Sequence, residues 1–182
     1  MKIISPVTVE SHLFRERDII GGETWLDFVN TVTGRDEAPR DWLDSYQSLL
    51  DWAAFVALLP APIIQTLHVE SLRNPERAAD ALERTKSLRE AMFAIVSALI
   101  GGNAPNAKDL ALLQSHWIAG AAAHDLLWSE GDLFLRMRTD APGLDAIAEL
   151  LGYRMVNALP SLPEGRLRMC QGPNCAWLFV DS

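Results

Sequence analysis

Residues 74–102 constrain the fold most. Asn74 suits a helix N-cap, Pro75 the first helical position, and Glu76 the positive first turn. Ala81, Leu88, Met92, Ile95 and Leu99 then recur at helical spacing until Gly101-Gly102 stops the pattern. The segment reads as one long amphipathic helix whose stripe other elements must cover. At 182 residues the chain is long enough to bury a hydrophobic core without disulfide staples, as one domain or one domain plus a small appendage.

Other elements fall around this helix. Trp25, Phe28, Val29 and Val32 predict a short buried helix over 23–33, followed by a polar loop over 34–41. Leu43, Tyr46, Leu50, Ala53 and Ala57 line one face of a helix over 41–59, closed by Pro60 and Pro62. A further helix starts near Asn106 and carries Leu110, Leu113 and Trp117. Over 124–138 the period changes to two, with Leu133, Leu135 and Met137 alternating with Phe134, Arg136 and Arg138, which predicts a β-hairpin. Leu144, Ile147, Leu151 and Met155 return to helical spacing over 142–159, and Pro160 and Pro163 break that helix before a cysteine-containing tail. The fold class expected is mainly α (α+β). It is a helical body with a small antiparallel hairpin near 124–138 and a short C-terminal β/Cys-turn element, and the hairpin is expected to pair with strands flanking the cysteines.

Charge narrows the function. Asp and Glu total 24 against 16 Lys and Arg, for a formal net charge of -8. Cations are spaced rather than clustered, as in Arg136 with Arg138 and Arg166 with Arg168. Nucleic-acid affinity rests on phosphate neutralisation, so this chain alone is expected to bind duplex DNA poorly. No apolar run approaches a membrane span, and the opening Met1-Lys2-Ile3-Ile4-Ser5-Pro6 does not read as a signal peptide. No membrane partner is expected, the expected location is cytoplasmic, and thiols there stay reduced.

Cys170 and Cys175 are the two cysteines. Gly172, Pro173 and Asn174 between them suit a tight turn that aims both sulfurs at one point, which is half of a tetrahedral zinc site. Two ordinary thiols in a β-turn would give the same spacing. Trp177 and Phe179 alternate with Leu178 and Val180 as a strand would, and packing onto the helical body is the expected role, ahead of base stacking.

Three stretches resemble a bacterial family of stress-induced transcription regulators that has a helix-rich ABATE domain and a C-terminal CGNR-type zinc finger. Leu26-Asp27-Phe28-Val29-Asn30-Thr31 is similar to the family's Leu-Asp-Phe-x-Asn-Thr signature. Leu88-Arg89-Glu90-Ala91-Met92, a polar break and Asp109-Leu110 resemble its central helix and the start of the next. The run from Arg168 through Cys170, Cys175, Trp177 and Phe179 to Asp181 matches the opening of its finger. The resemblance implies a helical domain over 1–163 and the first half of a finger over 164–182. The family's finger continues through an Asn- and Arg-rich stretch to a second Cys pair ending Cys-Gly-Asn-Arg, and this sequence does not contain those residues. Truncation, an omitted disordered end and loss of the finger would each explain that. The resemblance therefore implies Cys170 and Cys175 as zinc ligands of the complete finger. The half-site in this chain is expected to hold no metal, and completion by the thiols of a second copy is the less favoured route. DNA is expected as a partner only with a completed finger.

Asp27 and Asn30 share a helix face, and Thr31 joins them. With Arg89 they are candidates to line a pocket for a small polar or anionic ligand. A buried network with an Asp27–Arg89 pair fixing two helices is the favoured alternative. His12, His68, His116 and His124 lack metal-ligand spacing, Gly21-Gly22 and Gly101-Gly102 make no phosphate loop, and no carboxylates are paired for acid–base work. No enzymatic activity is expected. The expected function is a regulator whose helical sensing or scaffold domain presents the finger to DNA. The alternative is a ligand-binding or dimerisation module, with a homodimer as one form.

Overall fold

The computed structural model describes residues 6–138, 142–162 and 165–181. Among them are six α-helices and three small sheets. The fold is mainly α with some β, as the periodicities predict, and among the described residues no helix is long and apolar enough to cross a membrane.

The central helix is α4 (Pro75–Ile100), with Pro75 in its first turn and Gly101 at its C-cap. Ala81, Leu88, Met92 and Ile95 are buried along it, while Leu99, in the last turn on the same face, is 41% exposed. Asn74 sits at the N-cap position but does not cap. Its side-chain amide donates instead to Glu70 at 2.8 Å, because the preceding helix runs up to it. That helix, α3 (Ala61–Arg73), lies where the sequence reading placed only a stop. Pro60 and Pro62 do not end the previous helix, which stops at Phe55 where Ala57 turns the chain at φ 49° and Leu58 N donates to Ala53 O at 2.8 Å. They occupy the N-cap and first turn of α3, where a missing N–H costs nothing. The helix expected over 41–59 is α2 (Tyr46–Phe55), delayed to Ser45, whose hydroxyl accepts from Ser48 N at 3.2 Å.

The first helix, α1 (Thr24–Val29), is shorter than expected and internal from its second residue on: Trp25, Leu26, Phe28 and Val29 are each 0% exposed. The chain leaves it into β2 (Val32–Thr33). Within the expected loop, β3 (Arg40–Asp41) runs antiparallel to β2 and parallel to β1 (Thr8–Val9). Helices α5 (Ala107–Ala122) and α6 (Ala146–Ala158) pack closely through glycines. A Cβ on Gly120 would stand 2.3 Å from the Glu149 carbonyl oxygen, and one on Gly152 would stand 2.8 Å from His116 Cβ.

Between those helices, β4 (His124–Ser129) and β5 (Asp132–Met137) form the expected hairpin. Its two-residue turn is Glu130-Gly131, both at positive φ (52° and 96°), the twist a tight hairpin favours. The hairpin does not pair with the strands around the cysteines. Those strands, β6 (Leu167–Met169) and β7 (Leu178–Val180), pair antiparallel with each other in their own sheet. Nor is the tail a separate appendage in packing. Leu178 is 0% exposed within the core that includes α1 and α4, because α1 supplies polar groups that hold β7 there. Residues 163 and 164, where the expected division falls, lie outside the described residues.

Candidate functional site

The polar residues of the Leu26–Thr31 stretch are buried and each finds a different partner. Asp27 and Asn30 lie on α1 and at its C-cap, and Thr31 follows. Their exposures of 5%, 1% and 1% mean that unmatched polar groups would be costly.

Asn30 faces the tail. Its Nδ2 donates to Leu178 O at 2.9 Å, and its Oδ1 accepts from Leu178 N at 2.8 Å. The side-chain amide thus acts as a one-residue extension of the sheet, satisfying both main-chain groups of the buried strand residue. Asp27 faces the chain before α1. Its Oδ1 accepts from Gly21 N at 2.7 Å, and Gly21 O in turn accepts from Val180 N at 2.9 Å. Gly21 must be glycine here, since a Cβ would lie 2.7 Å from Leu26 Cβ. Burial pushes the Asp27 carboxyl up to about 6, against the pull of the Gly21 and Ile20 amides.

Thr31 faces Arg89, and the expected Asp27–Arg89 pair is not formed. Arg89 instead makes a bidentate pair with Asp41 of β3, Nη1 to Oδ1 and Nη2 to Oδ2 both at 2.8 Å, while Nη1 also donates to Thr31 Oγ1 at 3.0 Å. Lys86 Nζ lies 3.1 Å from Asp41 Oδ2, and Leu43 N donates to Asp41 Oδ1 at 3.0 Å. Burial pushes the Asp41 carboxyl up, but Arg89, the Leu43 amide and Lys86 outweigh it and hold it below its usual range. Sequence reading missed Asp41 because it took the residue as the start of a helix. The signal available was an acid at the end of a polar loop, with Lys86 and Arg89 three apart on α4.

A cleft of about 510 Å³ opens beside this pair, lined by Val9, Arg35, Lys86, Arg89, Glu90 and Phe93 among others. Of the four proposed pocket residues only Arg89 reaches it. Arg89 Nε donates to Glu90 at 3.1 Å, and Arg35 forms an ion pair with Glu90, donates to Val29 O at 3.1 Å and stacks its guanidinium 4.2 Å over Phe93. The cations of the cleft are therefore already matched by carboxylates.

Cys170 and Cys175 are partly buried free thiols in the turn between β6 and β7. Gly172 N donates to Cys170 Sγ at 3.4 Å, and Cys170 N donates to Trp177 O at 2.8 Å. Burial is the main cause raising the Cys175 thiol above its usual value, and the neighbouring Cys170 thiol adds to it. This arrangement fits one half of a four-ligand thiolate site. Among the described residues no three His, Cys, Asp or Glu side chains gather to hold a metal. Trp177 anchors the turn edge-on against Trp42, ring centroids 5.8 Å apart, and Trp42 stacks on His12 at 3.9 Å. The remaining histidines serve packing: His68 meets Gln47, His116 lies at the α5–α6 crossing, and His124 stacks on Tyr153.

No curated protein matches the chain. The family model described as "putative stress-induced transcription regulator", ABATE, matches residues 22–159, which takes in α1, the Arg89–Asp41 pair and both glycine-packed helices. The chain belongs to the ABATE family.

Proposed function

We propose that this protein is a transcription regulator whose helical body is a rigid carrier for the C-terminal Cys turn, and that DNA contact is made by a zinc finger which Cys170 and Cys175 begin. The observation that carries this reading is the two-way hydrogen bonding of Asn30 with Leu178. It is supported by the chain Asp27–Gly21–Val180 and by Trp177 on Trp42. The α1 polar residues are thus used to fix where the turn points. A zinc ion held by Cys170, Cys175 and two further ligands would cross-link the turn. The protein's own residues supply its position. The body itself, at net charge -8, is poorly suited to phosphate, so the finger rather than the helices would face DNA. The role is one of binding and scaffolding, not catalysis.

Fluorescence anisotropy with duplex DNA at low salt tests the reading. The 182-residue chain should bind weakly. The same chain extended by a second Cys pair and a basic segment should bind with zinc and lose affinity steeply with salt. Equal binding by both, or by neither, contradicts it. A second reading, a small-anion-binding module, is favoured by the cleft beside Arg89. It requires an anion to displace Asp41 or Glu90 from cations already paired, and calorimetric titration with phosphate or a dicarboxylate would detect it.

A further inference from the structure

The β4–β5 hairpin leaves an edge and a face uncovered. Leu126, Trp128, Leu133 and Leu135 share one face, since Leu126 is opposite Leu135 and Trp128 opposite Leu133. They are 65%, 68%, 64% and 53% exposed. Among the described residues the sheet has only these two strands, so the outer edge of β5 presents unpaired main-chain groups. A lone two-stranded ribbon is marginal in water, and an open edge without proline or lysine is a template for pairing.

We infer that β5 is a self-association edge: two copies of this chain pair β5 with β5 antiparallel, with Phe134 on the two-fold axis, to make one four-stranded sheet. The main chain sets the parity. Arg138 N donates inward to Ala123 O at 2.8 Å, so by alternation the main-chain groups of Asp132, Phe134 and Arg136 face β4. Those of Leu133 and Leu135 face outward. A two-fold axis through Phe134 sets Leu133 opposite the partner's Leu135, which lets these outward groups bond reciprocally. The same register sets Asp132 opposite the partner's Arg136 on the other face, twice by symmetry. Among the described residues neither side chain has an ion-pair partner within its own chain, Asp125 being taken by Arg138. Sliding the axis by one residue to Leu135 keeps the parity but sets Arg136 against Phe134 and Asp132 against an Arg138 that Asp125 already pairs. Sliding it to Leu133 sets Asp132 against Phe134 and Arg136 against the turn. Self-pairing of β4 would set Asp125 against Leu127 or Ser129. Charge complementarity therefore selects both the strand and the register, and an isologous two-fold contact closes without forming a filament. The partner is a second copy of this chain.

Sedimentation equilibrium of the 182-residue chain should give twice the 20.1 kDa chain mass at high micromolar concentration. Leu135→Pro removes an outward N–H and leaves the β4 ladder intact, so it should yield a folded monomer with an unchanged circular dichroism spectrum. Asp132→Arg and Arg136→Asp should each weaken self-association about tenfold by setting like charges together twice. A one-to-one mixture of those two variants should recover wild-type affinity, because each then meets its complement. A chain that stays monomeric throughout, or a dimer indifferent to Leu135→Pro and to both charge reversals, overturns the inference.

Discussion

Asn30 and Leu178, 148 residues apart, are joined by two hydrogen bonds in opposite directions, 2.9 Å from Nδ2 and 2.8 Å to Oδ1. An asparagine at the end of α1 thus completes the pairing of a strand residue that would otherwise bury its main-chain N–H and C=O unsatisfied. A side-chain amide carries a donor and an acceptor on adjacent atoms of one planar group, spaced to match a main-chain N–H and C=O, which suits Asn to this position. The relationship ties the Cys turn to the most buried helix of the body.

Asn30→Ala should therefore cost about 3 kcal/mol, since both Leu178 groups lose their partner without access to water. Urea unfolding would measure it. The same variant should react faster with a thiol reagent at Cys170 and Cys175, which a purely local loss in α1 would not cause.

Arg89→Met should cost about 3 kcal/mol or more, because Asp41 keeps only Lys86 and the Leu43 amide against a buried charge. Asp41→Leu added to it should recover part of the loss, since no unpaired charge remains. A double-mutant cycle in urea that finds the two changes simply additive would contradict the pairing.

Two opposed pH effects should be separable. Asp27 titrates near 6 in the folded protein against an ordinary value of 3.8, so its stabilising contribution is complete below pH 3.8 and is lost as pH rises through 6. Asp27→Asn should gain on wild type by about 2 kcal/mol between pH 4 and pH 7, at roughly 1.4 kcal/mol for each tenfold change in proton affinity on folding. Asp41 and Glu90 are held below their ordinary 3.8 and 4.5, so their contribution is present above those values and lost on acidification. Thermal melts of both proteins from pH 3 to pH 8 would resolve the difference. Parallel curves would mean that Asp27 is not perturbed.

Gly120→Ala should destabilise by about 2 kcal/mol, although alanine is the better helix former. The added Cβ would meet the Glu149 carbonyl at 2.3 Å, which is main chain and cannot swing aside. A melting temperature at or above wild type would show that α5 and α6 are not this close.

Much of the fold was legible because α4, α5 and α6 carry both an apolar stripe and its punctuation. The helix α3 was not, because Pro60 and Pro62 read as a stop but begin α3, while the previous helix ends earlier at Phe55 through Ala57, whose positive φ nothing in its residue type announces. At the site, a buried polar network was legible from Asp27, Asn30 and Thr31 lying in an apolar segment. Its wiring was not. The partners Leu178, Gly21 and Asp41 are set by how distant strands dock, and local periodicity carries no information about that. The alternation of Leu178 with Phe179 marked a strand, yet nothing within the tail itself announced that Leu178 would be part of the core.

Native-state amide hydrogen exchange tests the central claim most directly. If the body carries the Cys turn as a fixed element, the amides of Leu178, Val180 and Cys170 should be protected to nearly the same degree as Met92 and Ile95 of α4. Exchange of those three amides at the rate of an open loop, with α4 still protected, would show that the turn moves independently and would contradict the account.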